Sequence, residues 1–121
     1  MSMEKFEDHE VDAHAGVRDE RGIVEVMYVY DRVLKANFVR VRFKSKARHL
    51  NHIISSGDVP ADLPTRQLEL NIARMGGALC ERHCERYKEV IDPDQAAAAA
   101  VEGFRRLKEM VNSGQFRITA H

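Results

Sequence analysis

Cys80, His83 and Cys84 fall together in Cys80-Glu81-Arg82-His83-Cys84. Thiols and imidazoles are the ligands that zinc prefers, and a thiol beside an imidazole is also where cysteine catalysis begins. On a helix Cys80 and Cys84 share a face, with His83 one step round. One helical turn offers only two ligands well, so a tetrahedral zinc site would need others from elsewhere. His49 and His52, i,i+3 in a stretch that can form a short helix, are the residues that would complete a His-x2-His plus Cys-x3-Cys set. That spacing matches none of the standard zinc patterns. The simpler reading makes Cys80 and Cys84 small core residues, so no metal and no cofactor is expected. Cysteine catalysis is weaker still, because a mid-helix thiol has neither an oxyanion hole nor a helix N-terminus to activate it. There is no phosphate-cradling glycine loop and no His-Glu-x-x-His, and Gly76-Gly77 sits inside a helical pattern. His9 and His14 read as solvated side chains of a polar arm. The expectation is a protein without catalytic residues.

A different chemistry is offered by Arg40, Arg42, Lys44, Lys46 and Arg48. Residues 32–57 hold seven basic side chains and no acidic one. Cations projecting from one strand face can follow a phosphate backbone, or dock on an acidic protein surface. They can also simply solvate a sheet face, or protect an edge strand from aggregation. Residues 1–20 carry the opposite sign, with seven acidic side chains against Lys5 and Arg18. That stretch has no periodicity and reads as an acidic mobile arm that tempers contact by the basic stretch.

These side chains need elements to position them. Residues 23–30 (Ile-Val-Glu-Val-Met-Tyr-Val-Tyr) are dense in β-branched and aromatic types, as in a buried strand. Residues 38–44 alternate more cleanly: Val39, Val41 and Phe43 share one face, Arg40, Arg42 and Lys44 the other. We read residues 22–44 as a hairpin, with Asn37 at its turn. The same apolar positions are also spaced for a helix, and an all-α fold is the alternative. Residues 46–56 read as a short helix burying Leu50, Ile53 and Ile54. Residues 55–64, with Gly57, Pro60 and Pro64, read as a connector. Residues 116–119 are strand-like and could extend the sheet.

Two amphipathic helices follow, over residues 65–91 and 94–113. Leu68, Ile72, Met75 and Leu79 form one stripe of the first, and Ala73, Gly77, Cys80, Cys84, Tyr87 and Ile91 a second beside it. So wide an arc predicts two neighbours within the chain, or one neighbour and a second subunit. Leu68, Ile72, Met75, Gly76, Gly77 and Leu79 are the residues assigned to a homodimer interface. The joint Asp92-Pro93-Asp94-Gln95 combines an N-cap, a proline at the first helical position and an approximate capping box. It predicts a break and a packed antiparallel helical hairpin. The second helix places Ala97, Ala100, Val101, Phe104, Leu107 and Val111 on one side.

A chain of 121 residues with 44% hydrophobic and 31% charged residues and zero net charge has the profile of one soluble domain, here residues 21–121. No apolar run is long enough for a membrane span and no signal-peptide pattern is present. The two cysteines, four residues apart, give no disulfide framework, which points to the cytoplasm. The sequence therefore predicts an α+β domain, a small antiparallel sheet on a helical hairpin. Its expected role is a non-enzymatic binding or regulatory protein contacting nucleic acid through a basic hairpin. The alternative is a protein-binding inhibitor or regulator of the kind found in phages and mobile elements.

Overall fold

In the computed structural model, which describes residues 14–45, 47–50 and 53–114, four antiparallel strands are followed by two helices. The strands are β1 (His14–Arg18), β2 (Val24–Asp31), β3 (Ala36–Lys44) and β4 (Ile54–Pro60). They lie in the sheet in chain order, each pairing with the next. The helices are α1 (Thr65–Tyr87) and α2 (Pro93–Asn112). The α+β expectation holds.

The hairpin pairs Val26 with Val41 and Tyr28 with Val39. Its turn is closed by Asp31, whose Oδ1 accepts from the Val33 and Leu34 N–H groups at 2.8 and 3.0 Å, and by Lys35 in the left-handed region at φ 54°. Asn37, expected at the turn, lies instead within β3 opposite Tyr30. An aspartate that captures two backbone donors outcompeted the asparagine.

Two expectations need larger correction. Residues 14–18 of the expected arm form edge strand β1, and Asp19 organises the turn after it. Asp19 Oδ1 accepts from Ile23 N–H at 2.9 Å and Val24 N–H at 2.8 Å. Burial acts to raise its pKa, but these hydrogen bonds and those from Arg21 outweigh burial and hold the carboxyl below its ordinary range. Residues 1–13 lie outside the described residues. The expected helix at residues 46–56 and connector at 55–64 are likewise replaced by a 3-10 turn (Arg48–Leu50) and by β4. β4 is built largely from poor strand formers, and at Gly57 the end of the Met75 side chain of α1 fills the space where a β-carbon would stand. Ile54, expected in the core, is 42% exposed. The proposed strand at 116–119 lies outside the described residues.

Both helices pack on one face of the sheet. Gly103 of α2 approaches Val26 and Val17, and the Phe104 ring meets Tyr28 edge-on at 6.2 Å. The core is one cluster that runs from Val24, Val39, Val41 and Phe43 to Leu68, Ile72, Leu79, Ala100, Phe104 and Leu107. The helices break where Asp92-Pro93 predicts. α1 ends at Lys88 in the left-handed region (φ 59°), a few residues earlier than expected, and the Asp92 side chain accepts from Asp94 N–H at 3.0 Å. Antiparallel packing follows from the cross-links: Glu69 with Arg105, Gly76 with Ala100, Gly77 with Ala97. A β-carbon on Gly76 would meet Ala100 Cβ and the Ala96 carbonyl at 3.0 Å, so this glycine sets how closely the helices approach. Among the described residues no helix is long and apolar enough to cross a membrane.

Candidate binding face and a buried clasp

The face of the sheet away from the helices carries the basic strand positions in three cross-strand rows. Arg18, Glu25, Arg42 and Ser56 stand in register across the four strands. The next row holds Gly16, Met27, Arg40 and Asp58, and the next Val29, Phe38 and Pro60. Directly opposed side chains in a sheet are close enough to pair, and here the cations have found carboxylates. Arg40 binds Asp58 through both oxygens, Nε at 2.8 Å and Nη2 at 3.1 Å. Arg18 Nη2 lies 2.5 Å from Glu25 Oε2, and Arg42 Nη1 lies 3.9 Å from Glu25 Oε1. Lys44, half-buried opposite Ile54, has no carboxylate partner among the described residues. Lys46 and the Arg48 side chain lie outside what is described. The face is therefore banded: charged at the Arg18–Glu25–Arg42 end and apolar towards Met27, Phe38 and Pro60, with Val29 beside them buried. Both helices pack on the opposite side.

The residues assigned to a dimer interface lie elsewhere than expected. Leu68, Ile72, Gly76 and Leu79 are buried in the chain's own core, Met75 reaches onto β4, and Gly77 faces Pro93 and Ala97. Most of the wide apolar arc of α1 is covered by the sheet on one side and α2 on the other. Ala73 and Gly77 stay half-buried at a shallow groove beside Pro93 and Ala97.

The Cys80–His83–Cys84 stretch separates into two environments. The Cys80 and Cys84 sulfurs are 3.9 Å apart and lie 3.6 and 3.7 Å from the Ile91 carbonyl, to which both thiols can donate. Burial, reinforced by Cys84, pushes the Cys80 thiol up to about 12. Such a thiol stays protonated at neutral pH, a poor nucleophile and a poor metal ligand. His49 is exposed on the 3-10 turn and His52 is outside the described residues. Among the described residues, no three metal-ligating side chains gather at one point.

His83 turns the other way and makes a contact the sequence reading missed. Its side chain is fully buried, between the rings of Phe43 (5.2 Å) and Tyr87 (4.8 Å). His83 Nε2 lies 2.5 Å from Glu89 Oε1. The same oxygen accepts from Ser45 Oγ at 2.7 Å, and Oε2 accepts from Ala47 N–H at 3.1 Å. Burial acts to raise the Glu89 pKa, but hydrogen bonds from Ser45, His83 and Ala47 overcome it and hold the carboxyl below its ordinary value of 4.5. One carboxylate thus clasps the chain after β3 to α1 and to the joint between the helices. A hydrolytic triad would run from serine through imidazole to carboxylate. Here Ser45 and His83 both address the carboxylate, so the imidazole is not placed to take the serine proton. His83 Nδ1 is buried without a hydrogen-bond partner among the described residues.

Comparison with protein-family models, curated proteins and solved structures found no match.

Proposed function

We propose that this chain is a non-enzymatic binding protein that docks another protein, one with an acidic surface, on the outer face of its sheet. The observation that carries the reading is the banding of that face. Its arginines, Arg18, Arg40 and Arg42, are matched by carboxylates in register, and an apolar band lies beside them. A phosphate backbone is best followed by unpaired cations whose counterions are released on binding. A phosphate at Arg40 would first have to displace Asp58. A protein partner can exchange those ion pairs for its own while covering Met27, Phe38 and Ile54, as interfaces with a polar rim do. A regulator or inhibitor would work this way, by occluding its partner.

Nucleic-acid contact remains the second reading. Lys44, without a carboxylate partner among the described residues, supports it, as does the continuation of basic residues through Lys46 and Arg48 in the sequence. The deciding experiment is capture from the source cell with and without nuclease, using the parent chain and an Arg42→Glu/Lys44→Glu variant. The protein-binding reading expects one partner protein that is retained after nuclease and lost with the variant. Loss of all bound material with nuclease, together with binding to generic DNA or RNA that falls steeply as salt rises, would transfer the assignment to nucleic acid.

A further inference from the structure

We infer that the end of the sheet carrying the β2–β3 turn is a self-complementary surface through which two copies of this chain pair. At the tip, Val33 and Leu34 are 71% and 64% exposed. Asp31 fixes the turn through the Val33 and Leu34 N–H groups, and Lys35 closes it in the left-handed conformation. Two aliphatic side chains held together in water form a knob, whereas a solvated turn would carry polar residues there.

Beside the knob, on the same end, is a groove of about 510 Å³. Phe38, Pro60 and Ala61 supply its apolar lining, and Lys35 and Asp62 stand at it with opposite charge. The volume is ample for a valine and a leucine side chain. Lys35 and Asp62 are both exposed, and neither has an ion-pair partner among the described residues.

A second copy is the occupant that this arrangement fits. Lys35 belongs to both the tip and the groove, so the knob and the hole are adjacent on one chain. A two-fold axis passing between the tip and the groove would carry each tip into the other copy's groove at once. The contact is isologous and closes as a dimer, so it does not propagate into a filament. Lys35 of each copy then meets Asp62 of the other. The patch is small, so the pair is expected to be weak, forming as concentration rises and dissociating on dilution. The groove shares Phe38 and Pro60 with the apolar end of the proposed docking face but not Arg42 or Lys44, so the Arg42→Glu/Lys44→Glu variant is expected to lose the partner protein and keep the pairing.

Sedimentation velocity of the full chain between about 1 µM and about 1 mM reads the equilibrium directly. The expected result is a mass that climbs from one chain towards two. A Val33→Ser/Leu34→Ser variant should weaken the association at least tenfold, with an unchanged circular dichroism spectrum because both side chains are exposed. Lys35→Asp and Asp62→Lys should each weaken it, and the two combined should restore it. Three results would overturn the inference: a monomer throughout the range, a dimer indifferent to the tip variant, or a charge swap that fails to restore pairing. Protection of the groove only by some other added protein would assign a different occupant and overturn it equally.

Discussion

Two regions of this molecule use the same chemistry, a carboxylate accepting hydrogen bonds from basic or polar donors, in opposite surroundings. On the outer sheet face, Asp58 holds Arg40 and Glu25 holds Arg18, with water close by and side-chain exposures between 14% and 58%. Behind the sheet, Glu89 holds a fully buried His83 together with Ser45 and the Ala47 backbone. Glu89 itself, 15% exposed, is no more hidden than Glu25 at 14%, but the His83 and Ser45 side chains it holds are buried, and water cannot readily replace the carboxylate for them. The geometries are comparable, but the consequences of breaking them are not. Distance alone says little about what a polar contact is worth; burial of the partners decides it.

The clasp should therefore be the most costly polar contact to remove. Glu89→Ala strands two buried donors, those of Ser45 and His83, while Ala47 N–H keeps Ser45 Oγ at 3.0 Å, and it is expected to destabilise the fold by about 2–4 kcal/mol in urea denaturation. His83→Phe keeps the ring between Phe43 and Tyr87 and removes the unpartnered Nδ1, so it should cost about 1 kcal/mol or less. If the two variants are equally damaging, the imidazole is the essential member and the contrast drawn here between carboxylate and ring is wrong.

Acid sharpens the same comparison. A carboxyl whose folded value is depressed contributes stability that is fully present above its unfolded value. That contribution is lost as pH falls through the folded value. For Glu89 the loss starts as pH drops towards 4.5 and continues below it. Asp19 and Glu69 are also depressed, so the parent chain should lose stability on acidification from several sites. Between about pH 7 and about pH 3, Glu89→Gln should flatten that decline, leaving the share of the other two. An unchanged slope in the variant would show that Glu89 is not ionised differently on folding.

The smallest effect belongs to the surface. A double-mutant cycle on Arg40 and Asp58 should return a coupling of about 0.2–1 kcal/mol, shrinking as salt is added. A coupling as large as the loss in Glu89→Ala would mean that the outer face is not solvated, and would remove the basis for reading it as a docking surface.

Some of this was written locally in the chain. The break at Asp92-Pro93, the strand alternation of Val39, Val41 and Phe43, and the small residues that let the helices approach all act through neighbours within a few residues. Such local preferences survive whatever the rest of the fold does. β4 was not legible, because Ser55, Ser56, Gly57 and Asp58 are turn-forming types and form a strand here only because β3 offers an edge and Met75 fills the space over Gly57. The candidate face was half legible. Its cations could be read from the alternation, whereas their partners, Glu25 and Asp58, are set by strand register, which no single segment encodes. His83 stood out as a residue type, but Glu89 and Ser45, its neighbours in space, are 6 and 38 residues away in sequence.

The sequence by itself determined where the chain breaks, which segments are amphipathic and which charges are available, since each follows from the conformational preference and polarity of adjacent residues. The tertiary structure alone decided which charges are neutralised, which apolar stripe is consumed in the core and which aliphatic residues, Val33 and Leu34 among them, are left outside. Those outcomes depend on what lies opposite each residue across a gap of a few ångströms, and that is fixed only when sheet and helices pack together.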